Sequence, residues 1–320
     1  MTTFSVEIGI IIPQLQFSYE EMLHRARTIE ALGLHSMWIY DHLYGPMLPE
    51  TPAFEGWTLA TALLANTSSL RVGHLVLCNN FRHPALLAKM ATTLDVISNG
   101  RLEFGIGSGS YETEHQEAGM QWGSFAERSD RLGEALAIIT AMFENERTTF
   151  RGDHYAVREI PNLPRPMQRP RPPIHIGGAG EQRTLPLVAR YADVWNVPTY
   201  ALNVYPHKRD VLHSHCVSIG RNPKSIRNAF EAVLVVARTD DEVAEILPKA
   251  ERRFAGDGWG LHAGGCIGTP AAVVRRMHEL VAQGVSLFTF FLHDRGRDET
   301  LELIAEQIVP AFATVEVSSA

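Results

Sequence analysis

The sequence predicts an α/β protein: a (β/α)8 TIM barrel carrying an insertion after its fourth strand. Three observations lead there. Short apolar runs rich in β-branched residues recur eight times along the 320 residues, each separated from the next by helical sequence. The runs are continuous rather than alternating, as in strands buried on both faces, and repeated strand–helix units imply parallel strands with helices outside. The glycine fingerprint that an open, doubly wound sheet needs after its first strand is missing, because Pro13-Gln14-Leu15-Gln16 stands there. A barrel core of about 250 residues leaves room for an insertion in a chain of this length.

Residues 6–13 read as the first strand. Ser18 with Glu21 three positions on is a capping box, and Met22, Ala26, Ile29 and Leu32 repeat at helical spacing up to Gly33. Residues 36–40 form a second, short strand. Residues 41–56 are polar, contain proline and exceed a minimal strand-to-helix turn, which marks them for binding or chemistry. A helix over 57–66 follows, then a complete unit: strand 71–77, a polar loop, Pro84 opening a helix, Ser98-Asn99-Gly100 closing it, and strand 101–106 running into Gly107-Ser108-Gly109-Ser110-Tyr111. Ser124 and Glu127 cap a long amphipathic helix with Leu132, Leu136, Ile139 and Phe143 on one face. Residues 148–171 alternate around Gly152-Asp153 and then become proline-rich, as a hairpin and linker do; they are read as an insertion within one domain spanning 1–320. Strands follow at 173–176, 193–197, 230–237 and 287–292, with helices after each and at 240–254 and 270–284.

Composition narrows the function. With 45% hydrophobic and 20% charged residues the chain can bury a large core, and a formal net charge of −7 leaves no basic excess for nonspecific nucleic-acid binding. No apolar run approaches the roughly 20 residues of a membrane helix, and no signal-peptide pattern opens the chain. Three cysteines do not make a disulfide framework. The expectation is a cytoplasmic protein acting on a small molecule.

In a barrel the site lies where strands end, which singles out Gln14, Asp41-His42, Cys78-Asn79, Ser108 to Ser110, Gly177-Gly178-Ala179-Gly180, Trp195-Asn196 and His293-Asp294-Arg295. His42 can handle a proton near neutral pH; alternatively it fills space while Asp41 caps the next turn. The glycines at 177–180 can cradle an anion at a helix start, or merely allow a tight turn. His213, His215 and Cys216 are not a metal cluster, since residues two apart on a helix diverge. No metal site and no Ser-His-Asp arrangement stand out.

The runs Trp38-Ile39-Tyr40-Asp41-His42-Leu43, residues 86–109, Glu127 to Leu132, and Pro173 to Gly180 with Ala189 to Asp193 resemble the luciferase-like flavin oxidoreductases, and more narrowly their actinobacterial branch that uses the deazaflavin coenzyme F420. The resemblance covers most of the chain to about residue 196, then thins. It implies a cofactor across the barrel mouth, F420 or alternatively FMN. Asp41 is then a cofactor-contacting residue and His42 the proton-handling one. It also implies a non-proline cis peptide behind the ring, at Leu75–Val76 by one register or His74–Leu75 by another. Ser108 and Gly109 match the ring's edge, and Gly177, Gly178, Ala179 and Gly180 the cofactor phosphate. The implied activity is hydride transfer between F420 and an activated alkene or carbonyl compound, in a homodimer. The alternatives are an FMN-dependent monooxygenase and a non-catalytic flavin- or F420-binding protein. Two departures stand out: Tyr44-Gly45-Pro46 replaces a tryptophan common in F420 relatives, and Ser110 stands where some carry a catalytic carboxylate, with Glu112 and Glu114 beyond. The second speaks against sugar-phosphate oxidation.

Overall fold

The structure is a computed structural model describing residues 3–254 and 260–318. Eight strands form the barrel: β1 Glu7–Ile11, β2 Ser36–Ile39, β3 Arg71–His74, β4 Leu102–Gly107, β5 Ile174–Gly177, β6 Val194–Val197, β7 Arg227–Val236 and β8 Val285–Leu292. Each runs parallel to its successor, and β8 pairs with β1, so the barrel closes. The strands are buried along nearly their whole length, because apolar side chains meet helices on one face and the barrel interior on the other. Ile11, Trp38, Leu75, Ala229, Leu287 and Phe291 pack in the inner cluster.

Local signals were obeyed. Ser18 accepts the Glu21 N–H while the Glu21 carboxylate accepts the Ser18 N–H, and Ser124 and Glu127 do the same. Pro84 sits in the first turn of helix Pro84–Ile97. Residues 213–216 lie within helix Tyr205–Ser218, where the sequence reading placed a helix.

The insertion is an antiparallel hairpin, Arg147–Arg151 with Ala156–Pro161, outside the barrel sheet. Its proline-rich continuation is pinned. The fully buried Asp95 accepts from the backbone N–H groups of Met167 and Gln168 and from the Gln168 amide. Elements outside the sequence reading include the short strand Cys266–Gly268 beside β7, helix Glu112–Glu117 after β4, and an antiparallel ribbon of Thr3–Ser5 with Glu316–Ser318. Segments of three to six residues carry too little periodicity to be read.

The N-terminal end of the barrel carries a charged layer. Glu7 pairs with His35 at 2.9 Å and with Arg227; Glu103 pairs with His175 at 2.5 Å and with Arg71. Burial opposes ionisation of Glu7, but the His35 imidazole and the Arg227 guanidinium outweigh it and hold its carboxyl at about 2. Glu103 is held well below the usual carboxylate range by the same balance, with His175 and Arg71 prevailing over burial. Folded values below the unfolded ones mean stability that is present above the unfolded value of 4.5 and lost as pH falls toward 2. We therefore expect the urea midpoint to drop steeply below about pH 4.5, and to drop less in Glu7→Gln. Equal acid sensitivity of the two proteins would show that Glu7 contributes nothing to it.

Candidate active site

The C-terminal ends of the strands surround a cavity of about 1000 Å³. Every residue that the family resemblance assigned to catalysis or cofactor contact lines it: Asp41 and His42 after β2, Leu75 and Val76 beyond β3, Ser108 and Gly109 after β4, and Gly177, Gly178, Ala179 and Gly180 at the end of β5. Cys78, Asn196 and Arg295 line it too.

Other strand-end candidates brace the wall instead. Gln14 donates from its amide to the carbonyls of Tyr40 and Phe54 and accepts from the Tyr40 N–H. The Trp195 indole donates to the Gly178 carbonyl at 2.8 Å, fixing the glycine turn. Asn79, His293 and Asp294 are not among the lining residues. The thiol of Cys78 is pushed up to about 12 by burial, so it is no nucleophile at neutral pH.

His42 is held from a direction the sequence did not give. Its Nδ1 lies 2.8 Å from Oε1 of Glu114, whose side chain is 1% exposed, and the other Glu114 oxygen accepts the Leu43 N–H at 3.1 Å. Glu114 sits on helix Glu112–Glu117, so the loops after β2 and β4 meet at this carboxylate. With Nδ1 committed, Nε2 is the nitrogen left for the cavity. Tyr44 donates to Glu117, and the Met47 N–H donates to the Tyr111 hydroxyl, joining the same two loops. Glu112 holds Gln116 instead.

Asp41 faces away from solvent, 4% exposed, and is fully engaged. It receives both terminal nitrogens of Arg82, at 2.8 and 2.9 Å, and the Cys78 N–H at 2.7 Å. Arg82 also donates to Glu55, which caps helix Gly56–Ala65. This network fixes the chain on either side of the β3 end.

There β3 is interrupted between His74 and Leu77, and the Leu75–Val76 peptide is cis, the first of the two registers left open by the sequence. Neighbouring glycines make the room. A Cβ on Gly105 would stand 2.0 Å from the His74 carbonyl oxygen, and one on Gly107 2.7 Å from a Val76 methyl. In the glycine turn, Gly178 has φ +118, a backbone that side chains rarely adopt. Helix Thr184–Tyr191 begins one turn beyond it, with the Gly180 carbonyl accepting the Thr184 and Leu185 N–H groups.

Fold and site together define a parallel TIM barrel whose ligand cavity opens at the strand C-termini. The chain belongs to the luciferase-like monooxygenase family, whose family model matches residues 5–259. It is 32% identical over 190 residues to an F420-dependent glucose-6-phosphate dehydrogenase of Amycolatopsis mediterranei (strain U-32), covering 58% of this chain and 54% of that protein. The chain thus spans about half the length of that relative. It is 27% identical over 298 residues to an FMNH(2)-dependent dimethylsulfone monooxygenase of Pseudomonas putida, covering 82% of this chain and 79% of that one. Among solved structures, the coenzyme F420-dependent tetrahydromethanopterin reductase of Methanopyrus kandleri shares the fold, with a TM-score of 0.76 at 17% identity, covering 96% of this chain and 99% of the other.

Proposed function

We propose that the protein is an F420-dependent oxidoreductase that transfers a hydride between the deazaflavin and a small organic substrate, an activated alkene or carbonyl compound. The observation that carries this reading is His42, held through Nδ1 by a buried carboxylate and presented to a cavity of ligand size. The 32% identity to an F420-dependent relative supports the cofactor.

The cavity fits such a group. Gly105 and Gly107 leave space beside His74 and Val76 that a Cβ would fill, so the wall at Leu75 and Val76 is kept clear of side chains from β4. Leu75, Val76, Ser108 and Gly109 would hold the ring, and Gly177, Gly178, Ala179 and Gly180 its phosphate. When bound, the reduced deazaflavin supplies a hydride from its ring carbon. The protein's own part is acid–base work and orientation. Glu114 fixes the tautomer and tilt of His42, so that Nε2 gives the substrate a proton or takes one. Asp41, locked by Arg82, keeps the chain at 76–78 from shifting under the ligand. Ser110 leaves no carboxylate directly after the β4 turn, which separates this site from one built for sugar-phosphate oxidation. The reading includes one barrel domain over residues 1–320 and assembly as a homodimer, which light scattering measures.

A second reading, an FMN-dependent monooxygenase, is favoured by the longer stretch matched to the FMNH(2)-dependent relative. Titration with both cofactors at equal ionic strength separates the two. F420 is expected to bind more tightly than FMN, and equal or stronger FMN binding would overturn the F420 assignment.

A further inference from the structure

The cavity wall carries a further group that the mechanism above does not use. Glu231, on β7, lines the cavity and accepts a hydrogen bond from the Asn196 amide at 3.1 Å. No ion pair reaches it among the described residues, and Asn196 is its one side-chain hydrogen-bond partner there. Among the described residues, the titratable groups that interact electrostatically with it are the phenols of Tyr40, after β2, and of Tyr200, in the turn after β6. Thr289 stands beside it on β8, and its hydroxyl donates to the Phe230 carbonyl. Arg253 also lines the cavity, but its guanidinium donates to the carbonyls of Leu292 and His293. A carboxylate in such a wall with no cation to neutralise it is costly, and taking up a proton relieves the cost.

We propose that Glu231, held by Asn196, is a substrate-recognition subsite that selects a neutral carbonyl compound: its protonated carboxyl donates a hydrogen bond to the substrate's carbonyl oxygen, and its ionised form repels anionic substrates. Geometry and charge agree. Burial pushes the carboxyl up to about 7, with the Asn196 hydrogen bond pulling the other way, so both forms are populated at neutral pH. Asn196 contributes a second contact, because its buried Oδ1 has no partner and can accept an N–H or O–H from the same ligand. The subsite deepens the oxidoreductase reading and rests on it for the identity of the reaction.

The test has two arms. In the first, infrared difference spectra of the free protein are followed across neutral pH, with cyclohex-2-enone then added as a probe. A protonated carboxyl band is expected that disappears around pH 7, moves to lower frequency with the enone, and is absent from Glu231→Gln. Removing the Asn196 amide in Asn196→Ala takes away the bond that favours the charged form, so the band should persist to higher pH. In the second arm, KM for the enone with reduced F420 as hydride donor should rise about tenfold per pH unit above that value, with kcat little changed, and Glu231→Gln should flatten the rise. Glu231→Gln should also bind glucose 6-phosphate several-fold better than the parent. A band absent from the parent, retained in Glu231→Gln, or unmoved by the enone overturns the subsite. If the band behaves as expected but neither reduced F420 nor reduced FMN supports enone reduction, the oxidoreductase reading fails while the subsite stands.

Discussion

His42→Ala is expected to lower turnover by roughly 10²–10⁴-fold, the range for loss of a general acid or base, with cofactor affinity little changed. The reason lies in the separation of tasks. The histidine follows β2, whereas the glycine turn that would hold the cofactor phosphate follows β5. The measurement is single-turnover oxidation of reduced F420 by an activated alkene, with the folded fraction checked by melting. Glu114→Ala should fall between parent and His42→Ala, because it leaves the imidazole in place without a fixed orientation. A histidine that only fills space would behave otherwise, losing thermal stability while keeping its rate per folded molecule. Near-equal rates for parent and His42→Ala would move the proton donor elsewhere on the cavity wall, to Glu114 or Glu231.

Arg82→Ala should be the most destabilising single change around the site, by about 3–5 kcal/mol. It removes both hydrogen bonds that Arg82 makes to a carboxylate only 4% exposed, and the Cys78 N–H alone cannot balance that charge. Arg82→Lys should restore little, since an ammonium lacks the planar fork that meets both oxygens. The double variant Asp41→Asn with Arg82→Met should recover much of the loss, because neither stranded charge remains. Urea unfolding of the four proteins gives the comparison. A loss under about 1 kcal/mol for Arg82→Ala, the size of an exposed pair, would mean that Asp41 finds another partner or water.

The barrel was legible because strands buried on both faces leave continuous apolar runs, and the rule that barrel sites gather at strand ends carried the reading to Asp41, His42 and the glycine turn. What that rule cannot give is which way a side chain at a strand end turns. Gln14, Trp195 and Asn196 stand at equivalent places, yet the first two tie loops together and only Asn196 faces the cavity. Glu114 was hidden for a different reason. It lies 72 residues from His42 on a six-residue helix, and its partner is decided by how two loops fold over each other. Arg82 and Glu231 were equally silent, since a charged residue in a polar loop or in an apolar strand announces burial only once the neighbours are in place. Of the acids after Tyr111, sequence position favours none, and the structure puts Glu114 inside and Glu112 on the surface.

The meeting of the loops after β2 and β4 bears on how this mouth can be re-engineered. His42 and the Leu43 N–H share Glu114, Tyr44 holds Glu117, and the Met47 N–H holds Tyr111. Barrel loops are commonly treated as interchangeable modules on a fixed frame, but these two are one module in two pieces. Grafting residues 41–56 alone would replace the His42 and Tyr44 side chains that meet Glu114 and Glu117, and grafting 108–122 alone would replace Glu114 and Glu117 themselves. A chimera that exchanges residues 41–56 and 108–122 together keeps the seam intact, and is the smallest transplant that changes the rim of this cavity without unseating its histidine.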